Sequence, residues 1–499
     1  MNAKKTLSVL LAAMMLASAF TSCSNGGNDS KESDKNGTQE NKGSESQNES
    51  SANTETETEE TKYTASIPDG LNYGDADFTI YTYPESGGSI YWCDMDFCYR
   101  DVTGETLNDA LYQRILDTET TLGLTIKTFA PADNAGGTLK KSTQAQDGLY
   151  DIAFVNCRAC DSLAQENLIL NMRSIDNLDL DAAWWDQNII DGLSVANRVY
   201  MLHGDISIMA KKTLRVIYMN KSIANNYNIE NPYPMLSEKT WTIDKMAEIV
   251  AQVSDDLNGD GKMTQGDRFG LLYSGNIIYP VMIGCGVQVS TKDENDMPVL
   301  SFYNEHTQSV WEKVTAMCWD TDHALSGDGV TLFMQDEGLF ASFELHNLNK
   351  LREMESDFGI LPNPLYDETQ DNYYSTINGN VASMLVFPSD CPDTERAAYT
   401  VDVMGAISKN ILTPAYIESY LKGKVSRDNE SEESINIVFD SIRYDLGFCY
   451  SWGNLGSFVQ QLFEQKKEGL ATAYQTTSKI AQKQMDKAME KYLENTSGN

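Results

Sequence analysis

Apolar and polar residues along the first third of the chain form short blocks that predict strands and helices in turn. Phe78–Tyr83, Leu124–Phe129 and Tyr150–Val155 are rich in β-branched and aromatic residues and predict strands. Helical spacing of apolar residues over Asn108–Leu122, and again from about Cys160 to Leu168, predicts helices between and after these strands. The Tyr150–Val155 run is nearly continuous, as expected of a buried parallel strand. Strands that alternate with helices indicate an α/β fold.

Beyond residue 198 the same criteria predict a second series of elements. Strands are predicted at Val199–Leu202, Leu214–Tyr218 and Gly270–Tyr273, with shorter pieces at Leu332–Met334, Ala341–Phe343 and Phe358–Leu361. Helices are predicted at Thr242–Ser254, Tyr279–Gly284 and Thr307–Trp319. From Pro388 onward the pattern is mostly helical and ends in one long helix from about Ser457 to Leu493. We find no internal repeat.

The first residues have the pattern of an export signal. Lys4 and Lys5 precede the apolar stretch Leu7–Phe20, which is too short to span a bilayer as a helix. Phe20–Cys23 places small residues before a cysteine and resembles the lipobox of bacterial lipoproteins. We interpret residues 1–23 as a lipoprotein signal peptide with a lipidated Cys23. The alternative is a plain secretory signal in which Cys23 is incidental.

Residues 24–62 have the composition of a disordered polar and acidic tether. They are Ser, Asn, Gly, Glu, Thr, Lys and Asp with almost no apolar side chain, so burial of apolar surface cannot offset the entropy lost on ordering. A flexible coil of about 40 residues spans roughly 35 Å. Such a segment would hold a folded domain away from a membrane to which Cys23 is attached.

Charge and aromatic content narrow the range of partners. The formal net charge of −35 argues against nucleic acid and against an anionic membrane surface, because both require basic patches. Seven Trp and twenty-five Tyr supply many flat rings with a polar edge. Such rings suit the recognition of sugars or peptides, although most rings in any domain are core.

An acidic loop at residues 256–267 has the ligand spacing of a calcium site of EF-hand type. Oxygen-bearing side chains fall at positions 1, 3, 5, 9 and 12, and Lys262 at position 7 can offer its carbonyl group; these residues are Asp256, Asn258, Asp260, Lys262, Thr264 and Asp267. Gly261 at position 6 permits the sharp turn that such a loop needs. We therefore predict a structural Ca²⁺, with a solvated acidic turn as the alternative. A calcium switch is disfavoured because no second helix follows the loop.

Patterns typical of enzymes are absent from the sequence. The four histidines lack metalloprotease spacing, and the chain has no nucleophile elbow, phosphate-binding loop or dinucleotide fingerprint. Eight cysteines besides Cys23 leave one or two disulfides, a zinc site or buried thiols all open. The sequence therefore indicates a binding protein rather than an enzyme.

Several short segments, taken in order, resemble one known family. They are Glu105–Ala110, Tyr150–Phe154, Trp184–Trp185, His203–Asp205, Ile217–Asn220, Thr240–Thr242 with the acidic loop, Phe358–Pro364 and Thr413–Gly423. On these segments the chain, from about Tyr73 to Leu493, resembles the extracellular solute-binding lipoproteins of bacterial ABC importers, in the maltose-binding-like family 1 group.

This resemblance implies an α/β fold of two lobes, joined by a hinge and closing over a ligand cleft. By the family pattern, the first lobe takes residues 63–197 and 328–370. The second takes residues 198–327 and 371–499 and carries the calcium-type loop at 256–267.

The resemblance also implies where ligand binds. Ligands in such folds lie at the carboxyl ends of strands and at helix N-termini that face the cleft. The residues expected at these places are Tyr83, Asn156, Arg158, Asp205, Tyr279, Phe343, Glu344 and Trp452. Aromatic faces would stack on sugar rings, while polar side chains would bind hydroxyl groups.

The expected function is capture of a solute, in the first place an oligosaccharide, and its delivery to the permease subunits of an ABC transporter. The protein would lie on the extracellular face of the cytoplasmic membrane, anchored in the bilayer through Cys23. A secreted glycan-acting enzyme and a calcium-dependent surface adhesion protein are the alternative functions.

Overall fold

A computed structural model describes residues 62–82, 97, 101–131, 136–421 and 429–495. The predicted signal peptide, Cys23, Tyr83 and nearly all of the predicted tether lie outside the described residues. In the part of the chain that is described, no helix is both long enough and apolar enough to cross a membrane.

Twelve strands lie in the described ranges. In chain order they are β1 Ala76–Tyr81, β2 Leu124–Phe129, β3 Ile152–Asn156, β4 Arg215–Asn220, β5 Ser254–Asp255, β6 Arg268–Tyr273, β7 Ser290–Lys292, β8 Pro298–Leu300, β9 Ala324–Ser326, β10 Gly338–Glu344, β11 Phe358–Leu361 and β12 Ser383–Val386.

The α-helices of the same ranges follow or separate these strands. The first nine are α1 Thr106–Leu122, α2 Gly137–Ala145, α3 Cys157–Gln165, α4 Gln187–Leu193, α5 Met209–Lys212, α6 Lys221–Asn226, α7 Tyr233–Glu238, α8 Ile243–Val250 and α9 Ile278–Gly284. The others are α10 Glu305–Trp319, α11 Gly329–Met334, α12 Leu348–Leu351, α13 Thr394–Ile407, α14 Thr413–Leu421, α15 Asn429–Asp440, α16 Leu446–Tyr450, α17 Phe458–Glu464 and α18 Leu470–Glu494.

Two sheets form the centres of two lobes. The first sheet has the order β12-β3-β1-β2, with β1 parallel to both β2 and β3 and β12 antiparallel to β3. The second has the order β11-β4-β10-β6-β5, and β9 pairs with β6. Every residue of β4 is buried, which accounts for a nearly continuous apolar sequence in place of alternation.

The strand pairing corrects the lobe boundaries that the family pattern suggested. Strands β10 and β11, inside the segment 328–370, pair with β4 and belong to the second lobe. Strand β12, inside the segment 371–499, pairs with β3 and belongs to the first lobe. The assignment of these segments was wrong because apolar runs in a sequence do not show which sheet a strand joins.

Asparagine side chains at two strand ends start the helices that follow. Asn156 ends β3, and its side chain accepts the N–H of Ala159 at 2.9 Å, which caps α3. Asn220 ends β4 and accepts the N–H of Ile223 at 2.9 Å in the same way. These caps turn the chain sharply from strand to helix and fix where the first residues of each helix lie.

Three further sequence predictions change in the structure. Leu332–Met334, predicted as a strand, lies in helix α11. Leu202 makes an isolated bridge with Leu385 in place of a strand at 199–202. The long C-terminal helix is interrupted after Glu464, and α18 begins beyond Gly469, whose φ of +96° is open to glycine and unfavourable for other residues.

The chain crosses between the lobes in segments that are bonded to one another. Residues 362–382 lead from β11 to β12, and residues 441–445 lead from α15, which packs on β11, to α16, which packs on α3. The N–H of Ser375 donates to the carbonyl of Ser441 at 2.9 Å, and the N–H of Arg443 donates to the carbonyl of Ser375 at 2.8 Å. The lobes are therefore joined by a hydrogen-bonded pair of segments.

The β7–β8 hairpin makes a second link to the first lobe. Asp296 in its turn accepts the hydroxyl of Ser194 at 2.9 Å and the N–H of Asn197 at 2.8 Å. Lys292 donates to the hydroxyl of Ser194 at 2.7 Å and pairs with Asp296 at 2.9 Å.

A buried aspartate holds two tryptophans in the first lobe. One carboxylate oxygen of Asp402, on α13, accepts the indole N–H groups of Trp184 and Trp185 at 3.1 and 3.2 Å, and the other accepts the N–H of Asp179 at 3.0 Å. Burial raises the pKa of Asp402 to about 6 even though these hydrogen bonds oppose the rise.

We predict that Asp402→Asn removes a pH dependence of stability between pH 4 and 6. An aspartate titrates near pH 4 in the unfolded chain, so between pH 4 and about 6 the folded protein holds a proton that the unfolded chain releases. Stability contributed by Asp402 is therefore complete below pH 4 and is lost, by about 2–3 kcal/mol, as the pH rises to 6.

Urea unfolding at a series of pH values measures this difference, with the exposed Asp181→Asn as the matched control. Parallel pH profiles for the wild type and Asp402→Asn would contradict the prediction.

Candidate functional site

A small cavity, here called the inter-lobe cavity, lies where residues of both lobes meet. Its volume is about 80 Å³. Glu344 reaches it from the carboxyl end of β10, and Asn380 reaches it from the crossing segment that leads to β12. The lining residues are Thr213, Arg215, Asn276, Tyr279, Pro280, Glu344, Thr376, Ile377, Asn378, Asn380, Phe448, Gly456, Ser457 and Gln460.

Two aromatic rings from different helices form part of the cavity wall. The ring centroids of Tyr279, on α9, and Phe448, on α16, are 4.9 Å apart and the rings are tilted by 50°. The hydroxyl group of Tyr279 donates to the carbonyl of Leu455, which fixes the position of the ring. The pair offers a rigid apolar surface of the kind on which a sugar ring stacks.

Side-chain amides supply most of the polar wall. Asn276 follows β6, and Asn380 precedes β12. Both are exposed, and neither side-chain amide has a hydrogen-bond partner among the described residues. Each amide carries two donor hydrogens and one acceptor oxygen, which matches the mixed donor and acceptor character of a hydroxyl group.

The charges of Arg215 and Glu344 in this wall cancel. Their closest atoms are 2.6 Å apart, and the Arg215 guanidinium also donates to the carbonyl of Ser342 at 2.7 Å. The two side chains are only 6% and 17% exposed. Because removal of either partner would leave a buried charge unpaired, the pair stabilises this end of the second sheet more than it offers to a ligand.

The N-terminal turn of α3 approaches the cavity from the first lobe. The side-chain amide of Asn156 donates to the carbonyl of Asn380 at 3.2 Å. The guanidinium of Arg158 lies 3.5 Å from the hydroxyl of Ser457. Of the predicted ligand residues, Tyr279 and Glu344 thus line the cavity, and Asn156 and Arg158 contact residues that line it.

Three other predicted ligand residues do not line this cavity and make contacts within the protein. Phe343 stacks on Tyr218 with ring centroids 4.1 Å apart inside the core of the second lobe. Trp452 is buried beside Tyr450, in a turn that packs against α18.

Asp205 is the third. Its carboxylate pairs with Lys211 at 3.0 Å and Lys409 at 3.2 Å, and it accepts the hydroxyl of Thr413 at 2.7 Å. Burial opposes ionisation, but the two lysines outweigh it and hold the pKa of Asp205 below its usual range. Asp205 therefore ties the segment that precedes α5 to the start of α14.

Sequence reasoning missed Asn276, Asn380, Phe448, Ser457 and Gln460. They come from a turn after β6, a crossing segment and the C-terminal helices, which are far apart in the chain. The carboxyl end of β6 could have indicated Asn276, because the same rule indicated Asn156.

A second, larger cavity also borders the crossing segment, and we call it the hinge groove. Its volume is about 1080 Å³. Residues 371–374 of the crossing segment line the groove, whereas residues 376–380 line the inter-lobe cavity. The groove also receives α4, α7, β7 and an exposed face of α15 that carries Glu432, Glu433 and Asp440.

The acidic loop is organised by its own backbone hydrogen bonds. The carboxylate of Asp256 accepts the N–H groups of Gly259 and Gly261, each at 2.7 Å. Gly261 has a φ of +79°, as the requirement for glycine at position 6 predicts.

Asp267 at position 12 closes the loop. It accepts the N–H groups of Leu257 at 3.0 Å and Thr264 at 2.8 Å, and these hydrogen bonds, with the one from Thr264 the larger cause, lower the pKa of its carboxyl group. Within the described ranges, His, Cys, Asp and Glu side chains form no group of three or more that could hold a metal ion. Calcium binding therefore stays a prediction.

The cysteines of the described residues are free thiols. Cys157, Cys160, Cys285, Cys318 and Cys449 are buried, and Cys391 is partly buried. Burial raises the pKa of the Cys285 and Cys318 thiols, which makes them unreactive small apolar groups of the core.

No protein-family model and no curated protein matches the sequence. Solved structures do match. The ABC substrate-binding protein Lmo0181 from Listeria monocytogenes, in complex with cycloalternan, is 12% identical with a TM-score of 0.51, over 83% of this chain and 99% of that chain. UspC of M. tuberculosis is 12% identical with a TM-score of 0.55, over 81% of this chain and 99% of that chain.

A cyclo/maltodextrin-binding protein complexed with maltotetraose is 10% identical with a TM-score of 0.52, over 85% of this chain and 98% of that chain. At such low identity these matches establish the fold alone. The predicted two-lobed α/β fold of ABC-importer solute-binding proteins is confirmed.

Proposed function

We propose that this protein is an extracellular solute-binding protein of an ABC importer, and that it captures an oligosaccharide in the inter-lobe cavity and delivers it to the permease. The observation that carries the proposal is the wall of that cavity, which contains both the Tyr279–Phe448 ring pair and the side-chain amides of Asn276 and Asn380, which have no hydrogen-bond partner among the described residues. An apolar platform beside hydroxyl-binding amides is the chemistry that a saccharide needs. The solved structures of the same fold with cycloalternan and maltotetraose bound support this solute class.

The small volume of the inter-lobe cavity implies that the lobes move apart to admit a ligand. At about 80 Å³ it is well below the roughly 300–1,000 Å³ of ordinary ligand sites. A saccharide therefore enters when the lobes separate about the crossing segments, and closure around it buries the ring pair again. The protein performs no chemistry on the solute, and the energy for transport comes from the partner subunits.

We predict that an oligosaccharide raises the melting temperature of the protein, because a ligand of the folded state stabilises it by mass action. Thermal shift against a panel of oligosaccharides, peptides and polyamines identifies the class. Asn276→Ala and Asn380→Ala should each weaken binding about three- to tenfold through the loss of a hydrogen bond, with the ligand-free melting temperature unchanged.

Asn436→Ala, in the hinge groove, is the matched control and should bind as the wild type does. Loss of binding in Asn436→Ala alone would indicate that the solute binds in the hinge groove. Glycan cleavage without any thermal shift would favour the enzyme function.

We also propose that the protein is held at the membrane through a lipid on Cys23, with residues 24–62 as the tether. The support is the sequence Phe20–Cys23 at the end of an export signal.

We predict that Cys23→Ala moves the protein from the membrane fraction to the medium. Without a lipid, the polar tether has no apolar group to insert into the bilayer. Cell fractionation with immunoblotting measures this, with Ser24→Ala as the control. Full retention of Cys23→Ala in membranes would contradict the lipid anchor.

The acidic loop is proposed to hold a structural Ca²⁺ through the side chains of Asp256, Asn258, Asp260, Thr264 and Asp267 and the carbonyl group of Lys262. The loop joins the end of α8 to β6, so a cation there would fasten these two elements of the second lobe. An extracellular site of this kind needs a dissociation constant of only about 10⁻⁴ to 10⁻³ M.

We predict that adding about 10 mM Ca²⁺ to protein from which a chelator has removed metal raises its free energy of unfolding by about 1.4–2.7 kcal/mol, relative to adding Mg²⁺. Asp260→Ala should abolish this difference, whereas Lys262→Ala should preserve it because alanine keeps the carbonyl group. Differential scanning calorimetry with and without chelator measures the effect. A wild type that does not respond to Ca²⁺, or one that loses all solute binding on chelation, would contradict a purely structural site.

A further inference from the structure

Among the described residues, the guanidinium of Arg158, beside the inter-lobe cavity, has no carboxylate partner. Its only hydrogen bond among the described residues is the long one, 3.5 Å, to the hydroxyl of Ser457. Its Nε atom is buried and has no hydrogen-bond partner. Burial lowers the pKa of Arg158, because water that would solvate the charge is excluded.

Acidic residues outnumber basic ones by 73 to 38, yet Arg158, like Arg443, has no carboxylate partner among the described residues. Arg443 lies over the ring of Tyr374, and two other arginines pair with carboxylates. Arg215 pairs with Glu344 at 2.6 Å, and Arg396 pairs with Asp151 at 2.6 Å. An unpaired guanidinium in a partly dry site costs free energy that a ligand of opposite charge recovers.

The same place has a second source of positive potential. Arg158 is the second residue of the nine-residue helix α3, whose N-terminus points its first N–H groups away from the helix. Asn156 caps the N–H of Ala159, which leaves the N–H groups of Cys157 and Arg158 without a partner inside the helix. An anion in front of this turn would meet both the guanidinium and these amides.

Among the described residues that line the cavity, no unpaired carboxylate opposes such an anion. Glu344, the acidic residue among those that line the cavity, is already neutralised by Arg215. The net charge of −35 repels anions at long range, but at physiological ionic strength charges beyond about 8 Å are largely screened. Arg158 contacts Ser457, which lines the cavity, so an anionic group of a solute that extends past Ser457 would meet a cation that no described carboxylate neutralises.

We propose that the solute is an acidic saccharide, and that Arg158 binds its anionic group, in the first place the carboxylate of a uronic acid. The planar guanidinium matches a carboxylate by two parallel hydrogen bonds, a geometry that a single hydroxyl group does not offer. This inference rests on the proposed function and adds the charge of the solute to it.

The inference is tested by titrating the protein in a calorimeter with an oligogalacturonide and, separately, with its methyl ester. The ester keeps the sugar chain and removes only the charge. The wild type should bind the acid about 10- to 100-fold more tightly than the ester. Arg158→Gln should bind both forms with the same affinity, and Arg158→Lys should recover part of the preference.

Arg443→Gln, which removes an arginine that lies over Tyr374 in the hinge groove, is the matched control and should keep the full preference. Each variant is first checked for an unchanged ligand-free melting temperature. Sulfated and phosphorylated saccharides are compared in parallel, and a preference for either that is lost in Arg158→Gln supports an anionic solute with a different acid group.

Equal affinity of the wild type for the neutral and for all the anionic saccharides, or a preference for an anionic form that survives in Arg158→Gln, would overturn the inference while the proposed function stands. If neutral, acidic, sulfated and phosphorylated saccharides all fail to bind, the proposed function itself fails, and that outcome is distinct from the first.

Discussion

The hydrogen bonds that join Ser375 to Ser441 and Arg443 are the constraint on which the arrangement of the site depends. They tie together two segments that pass between the lobes, and one of these segments continues directly into the wall of the inter-lobe cavity. Because backbone groups make these bonds, the segments keep their spacing whatever side chains they carry. The carboxyl end of β10 and the residues just before β12 thereby meet at the inter-lobe cavity.

Around this joint, buried charges are satisfied inside the protein. Asp205 has two lysines, Asp402 has two indoles and a backbone N–H, and Arg215 has Glu344. A buried polar group that lacks a partner is costly, so such pairing is the rule in folded proteins. Arg158 departs from that rule beside the cavity where a solute is proposed to be enclosed, and Arg443, whose buried Nη1 atom also lacks a partner, departs from it in the joint.

The local pattern of apolar and polar residues was enough to predict elements whose structure depends on residues close together in the chain. Strand β2 has the predicted bounds, and the helical spacing before it identified α1 to within two residues at its start. The rule that ligands meet the ends of strands and the helices near them identified Tyr279 and Glu344 as lining residues.

The same reasoning failed where the deciding contact is distant in sequence. Nothing near Asp205 shows that Lys409 completes its ion pairing 204 residues later. Nothing in Phe343 distinguishes a ring that stacks on Tyr218 from one that faces a ligand. The sheet membership of β10, β11 and β12 failed for the same reason, since strand pairing is settled by the whole fold.

Successive residues of the crossing segment line two cavities: residues 371–374 line the hinge groove, of about 1080 Å³, and residues within 376–380 line the inter-lobe cavity, of about 80 Å³. A rotation of the lobes about this segment that enlarges one cavity must reshape the other. A molecule that fits the hinge groove in only one of these arrangements therefore changes the affinity of the inter-lobe cavity, and a bound solute changes the affinity of the groove by the same factor. Binding in the hinge groove and binding in the inter-lobe cavity are then thermodynamically linked.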